Sequence, residues 1–301
     1  MIRSAEIKKL MCFVLLVCFA VVLVACGHEG ANEFKDFDST LTDVKQKEKE
    51  FNKVMDSIDL ENINDLSKTD MTDKNKKEFN QLQNNLNSKL TPKLEAYEKS
   101  TKHLPANSEE TKELKSKYLA SVKKKKAAIE EVKTFVDLYN QAVKANEDIL
   151  DYTKLFEKNR SEVEENMKKA NNAGESVKGF KEKLEQNNKD LKNTAEKESN
   201  STNAKSEKQV IETQIMPLIK KQIKDLNKAE ITDGYVNDAR KNTIEMYYSL
   251  QNYYETREET IEIGEAIAKI DINKLPKESE DLKHYDKEFN KRYAELKEKY
   301  Q

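Results

Sequence analysis

Glycine and proline, the residues that interrupt regular helices, are scarce in this chain. Only six glycines and four prolines occur among 301 residues, while 37% of the residues are charged. Because lysine, glutamate, glutamine and leucine favour helices, this composition predicts long helices rather than an α/β fold, whose turns would need many more glycines. Disorder is the competing class for so polar a chain, but the periodicity of its apolar residues argues against it.

Apolar residues recur at helical spacing along most of the sequence. The first stripe consists of Phe34, Phe37, Leu41, Val44, Phe51, Val54 or Met55, and Ile58. A second runs from Phe79 to Tyr97, the longest from about Ser108 to Tyr152, and the last from about Tyr235 to Ile270. Such stripes indicate amphipathic helices. Pro92 and Pro217 lie inside two of the patterns and predict kinks, or a restart with Thr91 as the cap.

These patterns predict an all-α fold, an elongated antiparallel helical bundle with coiled-coil-like helices. Residues 35–301 form one extended helical body in this interpretation. Its best candidate for a linker is the polar segment near 196–208, in which Ala204 is the sole apolar residue. The stripes are compatible with dimers as well as monomers, so no oligomeric state is predicted.

The N-terminus has the layout of a secretory signal. Arg3, Lys8 and Lys9 precede an apolar run of 16 residues, which is followed by Cys26. As a helix the run would measure about 24 Å, short for a hydrocarbon core of about 30 Å, so a permanent spanning helix is the second choice.

The box Leu23-Val24-Ala25-Cys26 closes this run and predicts lipidation. We expect cleavage between Ala25 and Cys26 and a diacylglyceryl group on the Cys26 thiol, against the alternative of an ordinary signal peptide with an incidental cysteine. Residues 1–25 would then be the signal peptide and residues 26–34 a short lipidated tether. Two acyl chains suffice for stable anchoring at the outer face of a Gram-positive membrane. The one remaining cysteine would carry lipid and form no disulfide.

Tyrosines concentrate in one segment, where four of the twelve lie within eight residues from Tyr247 to Tyr254. Its core is Glu245-Met246-Tyr247-Tyr248. Together with the lipobox and the Lys/Asn-rich body, this tetrapeptide resembles the staphylococcal EMYY-motif lipoproteins, and the resemblance covers most of the chain. The body is also similar, more loosely, to cell-wall-binding lipoproteins of related bacteria. The family likeness implies a membrane-anchored surface lipoprotein and implies no activity.

Helical geometry separates these tyrosines. Tyr247 and Tyr254 fall on one apolar stripe and are expected in the core, whereas Tyr248 lies off it and Glu245 points to solvent. Tyr248 and Tyr253 are the residues of a possible binding surface, since tyrosine faces stack on sugars or on side chains of a partner. Arg257 falls inside the apolar arc, so it should pair with a carboxylate or extend to the surface.

The remaining charged features are interpreted as ordinary surface. Lys123–Lys126 predicts a solvated helix surface, with anionic lipid heads or teichoic acid as the alternative. The histidines, His28, His103 and His284, have no partner at metal-ligand spacing, so neither a metal nor a cofactor is predicted. The net charge is −2 and no face is basic, which gives no indication of nucleic-acid binding.

Three functional hypotheses follow. The first is a non-catalytic binding or scaffold protein of the envelope that engages wall polymer, an envelope protein or a host molecule. The second is the solute-binding lipoprotein subunit of a transporter, which would be expected to have two α/β lobes. The third is an envelope hydrolase with carboxylates that converge in a groove. No nucleophile or nucleotide motif is found, so the sequence predicts that the protein is not an enzyme.

Overall fold

The structure of the chain is a computed structural model that describes residues 4–60, 63, 72–170 and 174–300, with side chains from residue 30 onward except that of Ser176. The chain is 88% helical, and no strand occurs in the described part. The all-α prediction is therefore confirmed. Within those residues, no helix combines the length and the apolar character that crossing a membrane requires.

The α-helices account for most of the chain. In order, they are α1 (Ser4–Asp56), α2 (Asp73–Asn85), α3 (Thr91–Lys102), α4 (Glu109–Lys169), α5 (Glu175–Ser199), α6 (Ala204–Val210), α7 (Met216–Asn227), α8 (Gly234–Ile267), α9 (Ser279–Lys283) and α10 (Lys287–Tyr300). π-Helical turns at Leu86–Leu90 and Ile211–Ile215 join α2 to α3 and α6 to α7. A 3-10 turn at His284–Asp286 joins α9 to α10.

Each π-helical turn lies directly before a proline in the first turn of the next helix, Pro92 or Pro217. A proline inside a helix lacks an N–H donor and clashes with the carbonyl four residues earlier, and an extra residue in the preceding turn relieves that conflict. The Thr91 hydroxyl donates a hydrogen bond to the Leu86 carbonyl at 2.9 Å. The chain thus stays helical through both prolines, and the predicted restart with Thr91 as the cap does not occur.

The described helices divide into two compact units. Unit 1 comprises Met1–Val136 and Ile272–Gln301, and unit 2 comprises Asp137–Asp271. In unit 2, the helical pattern is interrupted after Ser199, inside the polar segment that the sequence indicated. Asn203 then caps α6 through a reciprocal pair of hydrogen bonds with Ser206.

The core of unit 1 is built on the first apolar stripe. Its residues Phe34, Phe37, Leu41, Val44, Phe51, Met55 and Ile58 are all buried, with Met55 rather than Val54 in the stripe. Residues 26–34, which the sequence assigned to a tether ahead of the first helix, are part of α1. Gly30 and the Tyr300 side chain approach closely, since a Cβ at Gly30 would lie 2.8 Å from the Tyr300 hydroxyl. One or two glycines weaken a helix by only about 1 kcal/mol each, which is why α1 continues through Gly27 and Gly30.

A buried ionic network crosses this core. The Lys125 side chain is 1% exposed, and its Nζ lies 2.5 Å from Glu48 Oε1 and 2.8 Å from Asp286 Oδ2. Lys123 and Lys124 are exposed, so the prediction of a solvated lysine run is wrong for Lys125. One ammonium thus joins α1, α4 and the turn before α10.

Tyrosine and serine hydroxyls complete the network. Tyr97 and Tyr118 donate hydrogen bonds to the two oxygens of Glu48 at 3.0 and 3.1 Å. Ser121 donates to Oδ1 of Asp286. Lys45 reaches Glu48 Oε2 at 2.7 Å and lies over the Tyr118 ring. Two carboxylates therefore face two ammonium groups, of which that of Lys125 is buried and that of Lys45 belongs to a side chain that is 40% exposed.

Electrostatics hold Glu48 in its ionised form. Burial by itself would raise the pKa of the Glu48 carboxyl, but the charges of Lys125 and Lys45 and their hydrogen bonds outweigh it and lower the pKa from 4.5 to about 2. The same burial raises the pKa of the Tyr97 and Tyr118 hydroxyls well above the ordinary range, so both remain donors.

Unit 2 has a separate apolar core. It combines the second half of α4 with α5, α7 and α8 through residues that include Val163, Phe180, Ile219, Ile223 and Tyr247. Ile211 and Ile215 of the π-helical turn are also fully buried in it. Each of these helices buries one face in the core. Helix α8, which carries the tyrosine segment, therefore has one face in the core and one face in solvent.

Because of the network, unit 1 should lose stability at acid pH. A carboxyl whose pKa is lower in the folded state contributes stability that is complete above its unfolded pKa, here 4.5, and is lost as the pH falls through 4.5 towards about 2. This shift corresponds to about 3 kcal/mol. We expect urea unfolding of the mature chain to show a larger loss of stability between pH 6 and pH 2.5 in the wild type than in Glu48→Gln. Equal losses in both proteins would contradict the assignment to Glu48.

Candidate functional site

Helix α8 positions the tyrosine segment of unit 2. It begins after the predicted turn Thr232-Asp233-Gly234, where Asp233 is the N-cap and its carboxylate accepts a hydrogen bond from the Val236 backbone N–H at 2.9 Å. Such a cap satisfies one of the unpaired donors of a helix N-terminus. The register of α8 is therefore fixed from its first turn.

The tetrapeptide Glu245-Met246-Tyr247-Tyr248 is divided between the core and the solvent. Met246 and Tyr247 are buried, and Tyr247 is fully enclosed in the core of unit 2. Glu245 is exposed and the Tyr248 side chain is 44% exposed. This arrangement agrees with the helical geometry expected from the sequence for Tyr247, Tyr248 and Glu245. Tyr254 is also buried, as expected.

An aromatic groove of about 330 Å³ lies between α4 and α8 within unit 2. Its lining comes from both helices and consists of Tyr152, Thr153, Phe156, Glu157, Ser249, Leu250, Tyr253 and Tyr254. The rings of Tyr253 and Tyr254 meet edge to face, with centroids 5.0 Å apart and an interplanar angle of 86°. Rings fixed by such contacts present rigid apolar faces to a ligand.

The groove separates the two tyrosines that the sequence proposed as a binding surface. Tyr253 is half-buried and lines the groove, whereas Tyr248 is not part of its lining. Five residues along an α-helix correspond to a rotation of about 140°, so the two rings point to different sides of α8. Tyr152 and Phe156 were not singled out in the sequence, because only a folded chain brings α4 beside the tyrosine segment.

Tyr247 belongs to a cluster of buried polar groups in the core of unit 2. Gln222 donates a hydrogen bond to the Asn187 carbonyl at 3.1 Å. Asn187 Nδ2, Gln222 Oε1 and the Tyr247 hydroxyl have no hydrogen-bond partner among the described residues. Burial raises the pKa of Tyr247 to about 12, and the nearby Asn187 side chain offsets part of the effect. The Tyr247 hydroxyl thus lies near Asn187 without a hydrogen bond of normal geometry, and its desolvation is at most partly compensated.

A charged cluster lies where α5, α6 and α8 meet in unit 2. Arg257 pairs with Glu207 at 2.6 Å and with Glu198 at 3.7 Å, which confirms the expectation that it would find a carboxylate. Lys208 pairs with Glu258 at 3.4 Å and also with Glu262.

Carboxyl groups also crowd one another in this cluster. Burial and a hydrogen bond with Glu207 raise the pKa of Glu198. Burial and a hydrogen bond with Glu212 likewise raise the pKa of Glu258. The carboxyls here are held by cations of the protein itself and do not converge on the groove.

A family model describes nearly the whole sequence. The model of the EMYY-motif containing lipoproteins matches residues 7–297. The chain belongs to this lipoprotein family. Membership implies anchoring to a membrane by lipid, which agrees with the lipobox at Cys26, although the side chains of Ala25 and Cys26 lie outside those the structure describes. Comparison with curated proteins and with solved structures gives no match.

No metal centre is found in the described part of this EMYY-motif lipoprotein, where no group of histidine, cysteine or acidic residues could hold a metal ion. The side chains of His103 and His284 are exposed. Nδ1 of His103 contacts the backbone carbonyl of Lys99, and Nδ1 of His284 contacts that of Asp281. His28 lies outside the described side chains.

Sequence reasoning missed Glu48, Lys125 and Asp286, the most deeply buried ionic groups. A signal was present, since each occupies the missing position of an apolar stripe. Glu48 lies between Val44 and Phe51, Lys125 between Val122 and Ile129, and Asp286 between Leu282 and Phe289. A charge at a core position of three separate helices predicts mutual pairing inside the core.

Tyr97 and Tyr247 allow the contribution of a buried hydroxyl to the free energy of unfolding to be measured. Tyr97→Phe should lower the free energy of unfolding by about 1.5–3 kcal/mol, because it removes a hydrogen bond to a carboxylate. Tyr247→Phe should leave stability unchanged or raise it by up to about 1 kcal/mol, because it removes a hydroxyl without a partner. Urea unfolding of the two variants provides the comparison. Equal destabilisation by both would contradict the assigned environments.

Proposed function

We propose that this EMYY-motif lipoprotein is a non-catalytic binding protein of the cell envelope. In this proposal a diacylglyceryl group on Cys26 anchors it to the outer face of a Gram-positive membrane after removal of residues 1–25. The aromatic groove of unit 2 is its binding site, and the partner is wall polymer or an envelope protein.

The distribution of exposed apolar side chains carries the proposal. Among the residues with described side chains, the exposed large hydrophobic ones are Leu150, Leu155, Tyr235 and Tyr248, and all four belong to unit 2. Unit 2 also contains the aromatic groove. Burial of exposed apolar and aromatic groups against a partner is favourable, so their distribution favours unit 2 over unit 1 as the part that binds, and the groove is the proposed site within unit 2.

The position of the anchor supports a location close to the membrane. Phe34 is the first residue of α1 in the core of unit 1, and it follows Cys26 by eight residues. In a helix this distance is about 12 Å. Unit 1 would therefore be held near the lipid surface.

The chemistry of the groove favours binding over catalysis. Glu157 is the one carboxylate among the described residues that line it. Hydrolysis of a glycosidic bond generally needs two carboxylates on opposite sides of the substrate. The alternative, the solute-binding subunit of a transporter, would be expected to have two α/β lobes. The described part of the chain is helical and contains no strand, which does not support this alternative.

The groove can be tested with three single variants of the mature chain. The probes are purified wall polymer, assayed by co-sedimentation, and detergent-solubilised membrane proteins, assayed by retention on the immobilised chain. Tyr253→Ala removes a ring from the groove and should weaken binding by about tenfold or more, the usual effect at a central aromatic contact. Tyr248→Ala tests the exposed half of the motif separately.

Tyr235→Ala is the matched control, because Tyr235 is 49% exposed in the same unit and does not line the groove. It should bind like the wild type. Equal binding by Tyr253→Ala and the control would remove the groove from the proposal. Failure of the wild type to bind either probe would contradict the proposed partners.

A further inference from the structure

Lys125 and Asp286 place an amine directly against a carboxyl group inside unit 1. Lys125 Nζ lies 2.8 Å from Asp286 Oδ2, and the exposed fractions of the two side chains are 1% and 5%. Lys125 also contacts Glu48 at 2.5 Å. In the other ion pairs between described side chains, at least one partner is more exposed than any of these three. The contact is therefore unusual in this chain for its exclusion of water.

We propose that Lys125 and Asp286 condense to an amide, an isopeptide bond that links α4 to the turn before α10. Glu48 serves as the proton carrier for this reaction. The modification concerns unit 1 alone and is independent of the groove in unit 2.

The reaction balances without any further reactant. Loss of one ammonium proton frees the Nζ lone pair of Lys125, which attacks Cγ of Asp286. A C–N bond forms, and the bond from Cγ to Oδ2 breaks. Two of the three ammonium protons leave with Oδ2 as one water molecule, and the third remains on the amide nitrogen. Glu48 accepts a proton from Nζ and returns it to Oδ2, so its own charge is unchanged. Its distance from Nζ is within the range for such a transfer.

The neighbouring groups are placed as the reaction requires. Ser121 donates a hydrogen bond to Asp286 Oδ1, the oxygen that becomes the amide carbonyl and gains charge as the amine attacks. Lys125 contacts the other oxygen, which departs. Two groups held at this separation react as if present at very high concentration, which overcomes the slowness of condensation in water.

Aromatic rings limit the access of water to the product. The Lys125 ammonium lies 5.4 Å from the centre of the Tyr97 ring. The rings of Tyr118 and Phe289 stack beside the network with centroids 4.2 Å apart. An amide is neutral, so it removes two buried charges that this dry environment disfavours.

The charge balance of the network survives the reaction. Before it, Glu48 and Asp286 face Lys125 and Lys45. After it, Glu48 still has Lys45 at 2.7 Å, whose charge and hydrogen bond lower the pKa of Glu48 independently of Lys125, and the hydroxyls of Tyr97 and Tyr118. No buried charge is left alone in the product. Since the mature chain has one cysteine, the predicted lipid carrier, the amide would supply the covalent link that a disulfide provides in other exported proteins.

The mass of the intact protein tests whether the amide forms. The mature chain, freshly purified and without any added reagent, should be lighter by the mass of one water molecule than its full sequence mass, which is the mass of the sequence plus the lipid on Cys26. Proteolytic mapping should recover one branched peptide in which Lys125 is joined to Asp286. A wild-type protein at its full sequence mass would overturn the proposal, and so would a water loss that maps to other residues.

Variants test the assigned roles. Lys125→Arg should have its full sequence mass, and Glu48→Gln should have it as well because the proton carrier is absent. Asp286→Asn should form the same amide with loss of ammonia instead of water, a difference that mass spectrometry resolves. Retention of the water loss in Glu48→Gln would remove Glu48 from the mechanism. Lys126 serves as the internal control, because it contacts Glu98 at 2.8 Å in a more exposed pair and should remain uncoupled.

Discussion

The side chain of Lys125 is the contact on which the core of unit 1 depends, as an ammonium ion before the proposed condensation and through the amide after it. It is the point at which α1, α4 and the turn before α10 meet, through Glu48 and Asp286. Buried ions are costly to desolvate, and only mutual pairing with further hydrogen bonds compensates for that cost. The hydroxyls of Tyr97, Tyr118 and Ser121 provide those bonds. The network therefore favours one register of these helices, since a shift of any of them would leave a charge unpaired inside the core.

The sequence predicted the helices because their signals are local. The first stripe depends only on the spacing of apolar residues in α1, and it was recovered with Met55 in place of Val54. The burial of Tyr247 and exposure of Tyr248 likewise follow from 3.6 residues per turn. The sequence left a kink and a restart open at Pro92, because a π-helical turn depends on a local change of hydrogen bonding that spacing does not reveal.

The network and the groove could not be derived in the same way, since both join residues far apart in the sequence. Lys125 was assigned to a lysine run on the surface, although its position between Val122 and Ile129 fits the apolar stripe. The stripe positions of Glu48, Lys125 and Asp286 indicate buried charges, but which of these charges pair with one another depends on the packing of the helices. Tyr152 and Phe156 were overlooked for a similar reason, because their place beside Tyr253 depends on the packing of α4 and α8. The lipobox needs no such packing, so the N-terminus could be interpreted directly.

The two units differ in how they treat polar and aromatic groups. In unit 1, the hydroxyls of Tyr97 and Tyr118 donate hydrogen bonds to Glu48, and both rings are buried beside the network. In unit 2, the Tyr247 hydroxyl is buried without a partner, while Tyr253 and Tyr248 reach the surface. This contrast is the physical reason why the proposal assigns the binding site to unit 2.

The most direct test of the central role of Lys125 is the free energy of unfolding of Lys125→Met beside that of Lys124→Met. The two substitutions are chemically identical and lie on adjacent residues, but Lys124 is exposed. Lys125→Met removes the proposed amide and leaves the carboxylates of Glu48 and Asp286 with Lys45 as the remaining cation of the network, so we expect a loss of at least about 3–5 kcal/mol in urea unfolding at neutral pH. Lys124→Met should change stability by less than about 0.5 kcal/mol. Similar values for the two variants would contradict a core that depends on this ion network.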